Sequence, residues 1–216
     1  MNRKVAFISV AGLLLLIFAI LVVQFQNQRS AQQAGAVAGH RESLERAGAP
    51  VKGSPDAKVT IVEFLDPACE TCREFYPLVT QLIERYPGKV KVMVRYAPLH
   101  QGSDQVVRML EAAHRQGRFW QALERLFATQ HQWVVAHVSQ PMRALPLLTA
   151  LDLDQKRFAD DINRPEVMQA VEQDQRDGQR LNVRATPEFF VNGRPMPSFG
   201  YEQLNQLVAE AVAASY

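Results

Sequence analysis

Cys69 and Cys72 are the only cysteines of the chain, and Glu70-Thr71 separates them. Two thiols at this spacing either form one local disulfide or supply half of a metal site, and no wider disulfide framework exists for them to join. If the pair opens a helix, Cys69 sits among unpaired N–H groups at the positive end of the helix dipole, which favours its thiolate. Cys72 then lies one turn on, close enough to bridge it. In that arrangement Cys69 is the nucleophile, attacking or being attacked through a mixed disulfide, and Cys72 resolves the intermediate. A structural zinc site would need four ligands. With no third cysteine, two of His40, His100, His114, His131 and His137 would have to converge, and none of them forms a compact ligand pair. Two alternatives stand beside exchange: a copper- or zinc-handling protein using the same thiols, and a redox-inert binding module.

The segments around the pair are those needed to position it. Val59–Leu65 (VTIVEFL) is β-branched and aromatic and predicts a buried strand, broken by Asp66-Pro67-Ala68. From Cys69 to Arg85, Phe75, Tyr76, Leu78, Val79, Leu82 and Ile83 recur at helical spacing, with Pro77 inside the helix and expected to kink it. Lys89–Tyr96 alternates as a second strand with one face partly wet, which completes a strand-helix-strand unit. Glu63 shares strand parity with Val59 and Ile61, so its carboxyl faces the apolar side, where burial would raise its pKa. The competing reading puts Glu63 at a wet margin beside a basic partner.

Farther on, Ser103 is read as the cap of a helix to about Gln116, and Phe119, Trp120, Leu123, Leu126 and Phe127 form an apolar stripe read as core. Helices are expected over Ala144–Leu151, Gln155–Ile162 and Pro165–Arg180, with Asp154 capping the second and Pro165 in the first turn of the third. Thr186–Val191 reads as a strand, Asn192-Gly193 as a hairpin turn, Arg194–Pro197 as its partner and Tyr201–Ala214 as a last helix. His100, in a loop, is read as solvated.

From Val5 to Val23 every residue is apolar, small or the lone Ser9, and Arg3 and Lys4 precede the run. This predicts a membrane-spanning helix held by the positive-inside rule, with everything after it outside the cytoplasm. The rival is a cleaved signal. The run exceeds the usual signal core of about 7–15 residues, and the small-residue site Ala36-Val37-Ala38 lies far downstream. The expected division is 1–24 as a transmembrane signal anchor, 25–57 as a flexible tether ending at Gly53-Ser54-Pro55-Asp56, and 58–216 as the working domain. The net charge of +2, with no long basic run, argues against nucleic-acid binding.

The run Val62-Glu63-Phe64-Leu65-Asp66-Pro67-Ala68-Cys69-Glu70-Thr71-Cys72, then Phe75-Tyr76-Pro77, and much later Ala185-Thr186-Pro187-Glu188-Phe189-Phe190-Val191-Asn192-Gly193, resembles the DsbA-type branch of the thioredoxin superfamily. The resemblance covers roughly 51–216 and implies an α/β thioredoxin-like fold with a helical insertion at about 103–162. It implies a thiol:disulfide oxidoreductase that exchanges disulfides with exported cysteine-containing proteins and is recharged by a membrane or periplasmic redox partner. No cofactor beyond the redox-active Cys69–Cys72 disulfide, and no metal, is expected. The working domain would lie in the periplasm or outside the cell, anchored to the inner membrane through residues 5–23. Residue by residue, Thr186-Pro187 matches the cis-proline loop that binds substrate backbone beside Cys69, and Glu63 matches the acid beneath the pair that accepts the proton of Cys72. Strongly oxidising members carry Pro-His between the cysteines, where this chain has Glu70-Thr71. A carboxylate there should oppose the Cys69 thiolate, which makes Glu70 and Thr71 expected tuning residues and predicts a weaker oxidant.

Overall fold

The computed structural model describes residues 43–216, together with the lone Gln24. The expected anchor and most of the expected tether lie outside the described residues. Among the described residues no helix is long and apolar enough to cross a membrane.

The main sheet is built from β1 (Val51–Gly53), β2 (Val59–Leu65), β3 (Val90–Tyr96), β6 (Glu188–Val191) and β7 (Arg194–Pro195), in the order β1-β3-β2-β6-β7. β2 is buried along its whole length and lies between β3, parallel to it, and β6, antiparallel to it. That central position is why its sequence reads as a near-continuous apolar run rather than an alternating one. The parallel β2–β3 pair is joined by helix α1 (Glu70–Arg85), which has Pro77 within it. Asn192 and Gly193 both adopt positive φ between β6 and β7, as the tight hairpin turn requires. The Asn192 side chain also accepts from the Thr60 N–H at 2.8 Å, tying the turn to β2.

Between β3 and β6 the chain forms a helical block. It comprises α2 (Ser103–His114), α3 (Phe119–Ala128), the single turn α4 (Gln130–Trp133), α5 (Pro141–Thr149), α6 (Gln155–Ile162) and α7 (Pro165–Arg180). A small hairpin of β4 (Val134–Val135) and β5 (Val138–Ser139) interrupts it, turning through Ala136 and His137 at positive φ. The last helix is α8 (Tyr201–Ser215).

Strand parity sorts the core. Val59 and Ile61 face α1 and α8, packing with Phe75, Val79, Leu82, Leu204 and Val208. Val62 and Phe64 point to the other face, where α7 approaches so closely that a Cβ on Gly178 would meet the Phe64 ring at 3.3 Å. The helical block builds its own core on Leu65, Val94 and Tyr96, and Cys69 and Cys72 are packed into it.

Four sequence expectations change here. The tether does not run to residue 57: β1 pairs with β3, and Leu44 and Arg46 are buried. Polar composition hid this, because Arg46 is drawn in by charge rather than by apolar surface. The helical insertion continues past 162 through α7 to Arg180. Ser103 does not cap α2; Gly102 occupies the cap position and the buried Ser103 hydroxyl meets that of Ser139 at 2.8 Å. Of the aromatic pair read as core, Phe119 is buried, whereas Trp120 lies at the margin and donates its indole N–H to the Val51 carbonyl. Asp154 does cap α6, accepting from the Arg157 N–H, and Pro165 does open α7.

Candidate functional site

Cys69 is the N-cap of α1 and Cys72 lies in its first turn, both as free thiols. Both are buried, Cys69 at 6 % exposure and Cys72 at 0 %. Their environments push the two thiols in opposite directions. The Cys69 pKa falls to about 5, chiefly through a hydrogen bond from the Cys72 thiol. Burial opposes that fall, while the Thr186 side chain and the backbone N–H groups of Cys72 and Thr71 assist it. Cys72 is pushed well above the usual thiol range by burial first, then by its bond to Cys69 and by the negative charge of Glu63. The helix start therefore makes one thiolate and one retained proton.

Glu63 lies on the α1 side of β2 at 2 % exposure, and its pKa is raised to about 8, by burial first and by Cys69 second. Among the described residues nothing pairs with its Oε1. It is the buried member of the two readings made from strand parity. The Thr186-Pro187 peptide bond is cis, and the Cys69 thiol donates to the Thr186 carbonyl at 3.1 Å. Thr71 contributes its backbone N–H to the Cys69 shift, whereas the Glu70 side chain is exposed. Glu63, Cys69, Cys72, Thr186 and Pro187, scattered over the sequence, thus meet at the carboxyl end of β2.

The turn leading into Cys69 is held by residues that sequence reading did not single out. Asp66, fully buried, accepts from the Ala68 N–H at 2.9 Å through Oδ1. Its Oδ2 accepts from the N–H groups of Leu99 and His100 at 2.8 Å each and meets His100 Nδ1 at 2.8 Å. His100 is thus engaged by Asp66, and its ring stacks against that of His137 with centroids 6.5 Å apart. From the helical block, the Gln130 amide donates to the carbonyls of Pro67 and Cys69 at 3.0 and 3.1 Å. Asp66 had a local signal, since an Asp followed by Pro two residues before an N–H marks an Asx turn. Gln130 had none, because only folding brings it to a turn 61 residues away. Among the described residues no group of three or more His, Cys, Asp or Glu side chains converges as metal ligands would.

A buried parallel β-α-β unit, a Cys pair at the head of its helix and a cis-proline against the first sulfur define a thioredoxin-like domain, here carrying a large helical insertion. The sequence comparisons agree with that class. A sequence model of the family described as Thioredoxin matches residues 45–210, and the chain belongs to this family. It is 30 % identical to a thioredoxin-like oxidoreductase from Silicibacter pomeroyi DSS-3, covering 81 % of this chain and 99 % of that structure with a TM-score of 0.69. It is 27 % identical to Disulfide bond formation protein D of Bacillus subtilis (strain 168), over 84 % of each chain. It is also 32 % identical to the Na(+)/H(+) antiporter NhaA of Herminiimonas arsenicoxydans over 67 % of this chain, but it spans only 22 % of that protein's length.

Proposed function

We propose that this protein is a thiol:disulfide oxidoreductase that exchanges disulfides with exported cysteine-containing proteins through Cys69 and Cys72. The observation that carries the reading is the placement of the two thiols, Cys69 as the N-cap of α1 with its sulfur 3.1 Å from the Thr186 carbonyl and Cys72 buried one turn on, which lowers the first pKa and raises the second. Paired groups whose environments drive their pKa values apart mark an assignment of roles.

In the reducing direction the Cys69 thiolate attacks one sulfur of a substrate disulfide, and that S–S bond breaks as the mixed disulfide forms and the first substrate thiolate leaves. Consumption of the Cys69 charge removes one of the two causes that hold the Glu63 proton. Glu63 gives its proton to the departing substrate thiolate and, now a carboxylate, takes the proton of Cys72, whose thiolate attacks Cys69 Sγ and releases the second substrate thiolate. Substrate gains two electrons and Cys69–Cys72 becomes a disulfide. The oxidising direction is the reverse, with Glu63 returning its proton to the departing Cys72. Thr186-Pro187 flanks Cys69 and offers backbone groups for an extended substrate segment.

Glu70-Thr71 between the cysteines, where strong oxidases carry Pro-His, supports a weaker oxidant than those enzymes. The antecedent apolar run 5–23 supports an inner-membrane anchor with the domain in the periplasm or outside the cell. A membrane or periplasmic redox partner would reset the pair.

Reduction of insulin and refolding of a scrambled-disulfide substrate test the reading. Wild-type protein turns over both and Cys69→Ser turns over neither; equal activity of the two proteins would refute the role of Cys69. Equilibration with glutathione reads the potential, and a value near −120 mV would refute the weaker-oxidant assignment.

A further inference from the structure

The turn from Asp66 to Cys69 has most of its backbone hydrogen bonds accounted for. The Cys69 N–H donates to the Asp66 carbonyl at 3.0 Å, and the Ala68 N–H donates to the Asp66 carboxylate. The carbonyls of Pro67 and Cys69 both accept from the same atom, Gln130 Nε2. The Cys69 carbonyl also begins the α1 ladder, at a long 3.3 Å from the Arg73 N–H.

Gln130 is 2 % exposed. Its orientation is fixed, because only the amide nitrogen can donate to two carbonyls. That leaves Gln130 Oε1 buried without a partner among the described residues. An orphaned buried acceptor costs free energy that a purely structural contact would not be expected to carry. The side chain comes from α4, in the helical insertion, and reaches the residue that bears the reactive sulfur.

Geometry explains the consequence for chemistry. The N–H groups of Thr71 and Cys72 favour the Cys69 thiolate only while they aim at Sγ, and their aim is set by the turn that enters α1. The two carbonyl dipoles beside that sulfur oppose a negative charge, and a donor placed on both of them weakens that opposition. Asp66 holds the turn to the β3–α2 connection, and Gln130 holds it to the insertion.

We propose that Gln130 is a positioning residue of the exchange site: by fastening the Pro67 and Cys69 carbonyls to the helical insertion, it sets the oxidising strength of the Cys69/Cys72 pair. This rests on the exchange function proposed above. Removing the donor destabilises the thiolate, and the disulfide becomes less oxidising. The insertion is then an electrostatic part of the redox centre as well as its wall.

The test compares wild type with Gln130→Met, which keeps length and burial but has no N–H. Thiolate absorbance against pH reports Cys69, and equilibration with glutathione reports the pair. Expected are a rise in the Cys69 midpoint and a fall of about three- to tenfold in the equilibrium constant for oxidising glutathione. Val208→Ala, a core cavity in α8, controls for lost stability and should leave both readouts within twofold of wild type. If Gln130→Met does not fold, Gln130→Asn, one methylene too short to bridge both carbonyls, takes its place and should shift both readouts in the same direction. A folded variant with an unchanged midpoint and equilibrium constant overturns the proposal, as does an equal shift in Val208→Ala. Wild-type protein that exchanges no disulfide at all would instead overturn the function on which the proposal stands.

Discussion

Two buried polar regions lie at opposite faces of the same sheet end, and they are wired differently. Behind β3, Arg95 is fully buried and donates to Asp174 at 2.6 Å, to Asp177 at 2.7 Å and to the carbonyls of Ser43 and Leu44. Arg46 adds a second bond to Asp174 at 2.7 Å, and the Tyr96 hydroxyl donates to Glu111 at 2.9 Å. There the charges are matched by opposite charges and the donors by acceptors. In front of β2, Glu63 is buried beside two thiols, and among the described residues no cation pairs with it. Matched charges hold elements together and stay as they are, whereas an unmatched acid exchanges its proton with a neighbour. The first region is a fastening that joins the N-terminal segment, β3 and α7. The second is where the proposed exchange would run.

The contrast breaks most visibly if the fastening is cut. Arg95→Met leaves Asp174 and Asp177 facing each other with reduced compensation, and denaturant unfolding should show a loss of roughly 3–5 kcal/mol. Because the fastening is separate from the pair, the Cys69 thiolate titration of whatever fraction remains folded should stay where it is. A moved titration would show that the two regions are coupled.

Glu63→Gln acts in the opposite sense on stability. With a folded-state pKa of about 8 against an ordinary 4.5, Glu63 keeps its proton on folding while the unfolded chain releases it. It therefore costs stability increasingly as pH rises from 4.5, up to the full cost above 8. The variant should be more stable than wild type by an amount that grows through that window, roughly 3 kcal/mol at pH 7, less whatever the unpaired amide costs. Resolution of the mixed disulfide should slow by about a hundredfold at the same time. A flat stability difference across pH 5–8 would refute burial as the cause. Cys69 has the reverse sign: its lowered pKa stabilises the reduced fold above the ordinary thiol range, and that contribution is lost as pH falls through about 5.

The smallest effect sharpens what the fastening needs. Arg95→Lys keeps the charge but not the planar fork that reaches two carboxylates and two carbonyls, so it should cost about 1–2 kcal/mol in the same denaturation experiment. A cost equal to that of Arg95→Met would mean that geometry, not charge, does all the holding.

Much of the site was legible before folding because its signals are local. The apolar run of β2 ending at Asp66, the helical spacing from Phe75 to Ile83 and the Asn192-Gly193 turn each depend on neighbours a few residues apart. Parity alone gave Glu63 the face of Val59 and Ile61, since side chains alternate along any strand, but left open whether that face was buried or wet. The fastening was not legible. Lys89–Tyr96 reads as a strand with one wet face, and Arg95 shares the parity of Lys91 and Met93, yet its side is closed by Asp174 and Asp177 from α7. Nothing in an alternating strand tells which polar residue will be covered.

What the sequence by itself determined is the class of chemistry, a single Cys pair at a helix start with a strand acid behind it, because these follow from spacing within one β-α unit. Only the tertiary structure decided how the pair is biased: the Thr186 carbonyl at Cys69, the Asp66 and Gln130 bonds to the turn and a buried Glu63 whose Oε1 has no partner among the described residues. Charges and dipoles act through distances in space, and those distances join residues as far apart as Cys69 and Thr186, where no local pattern reaches.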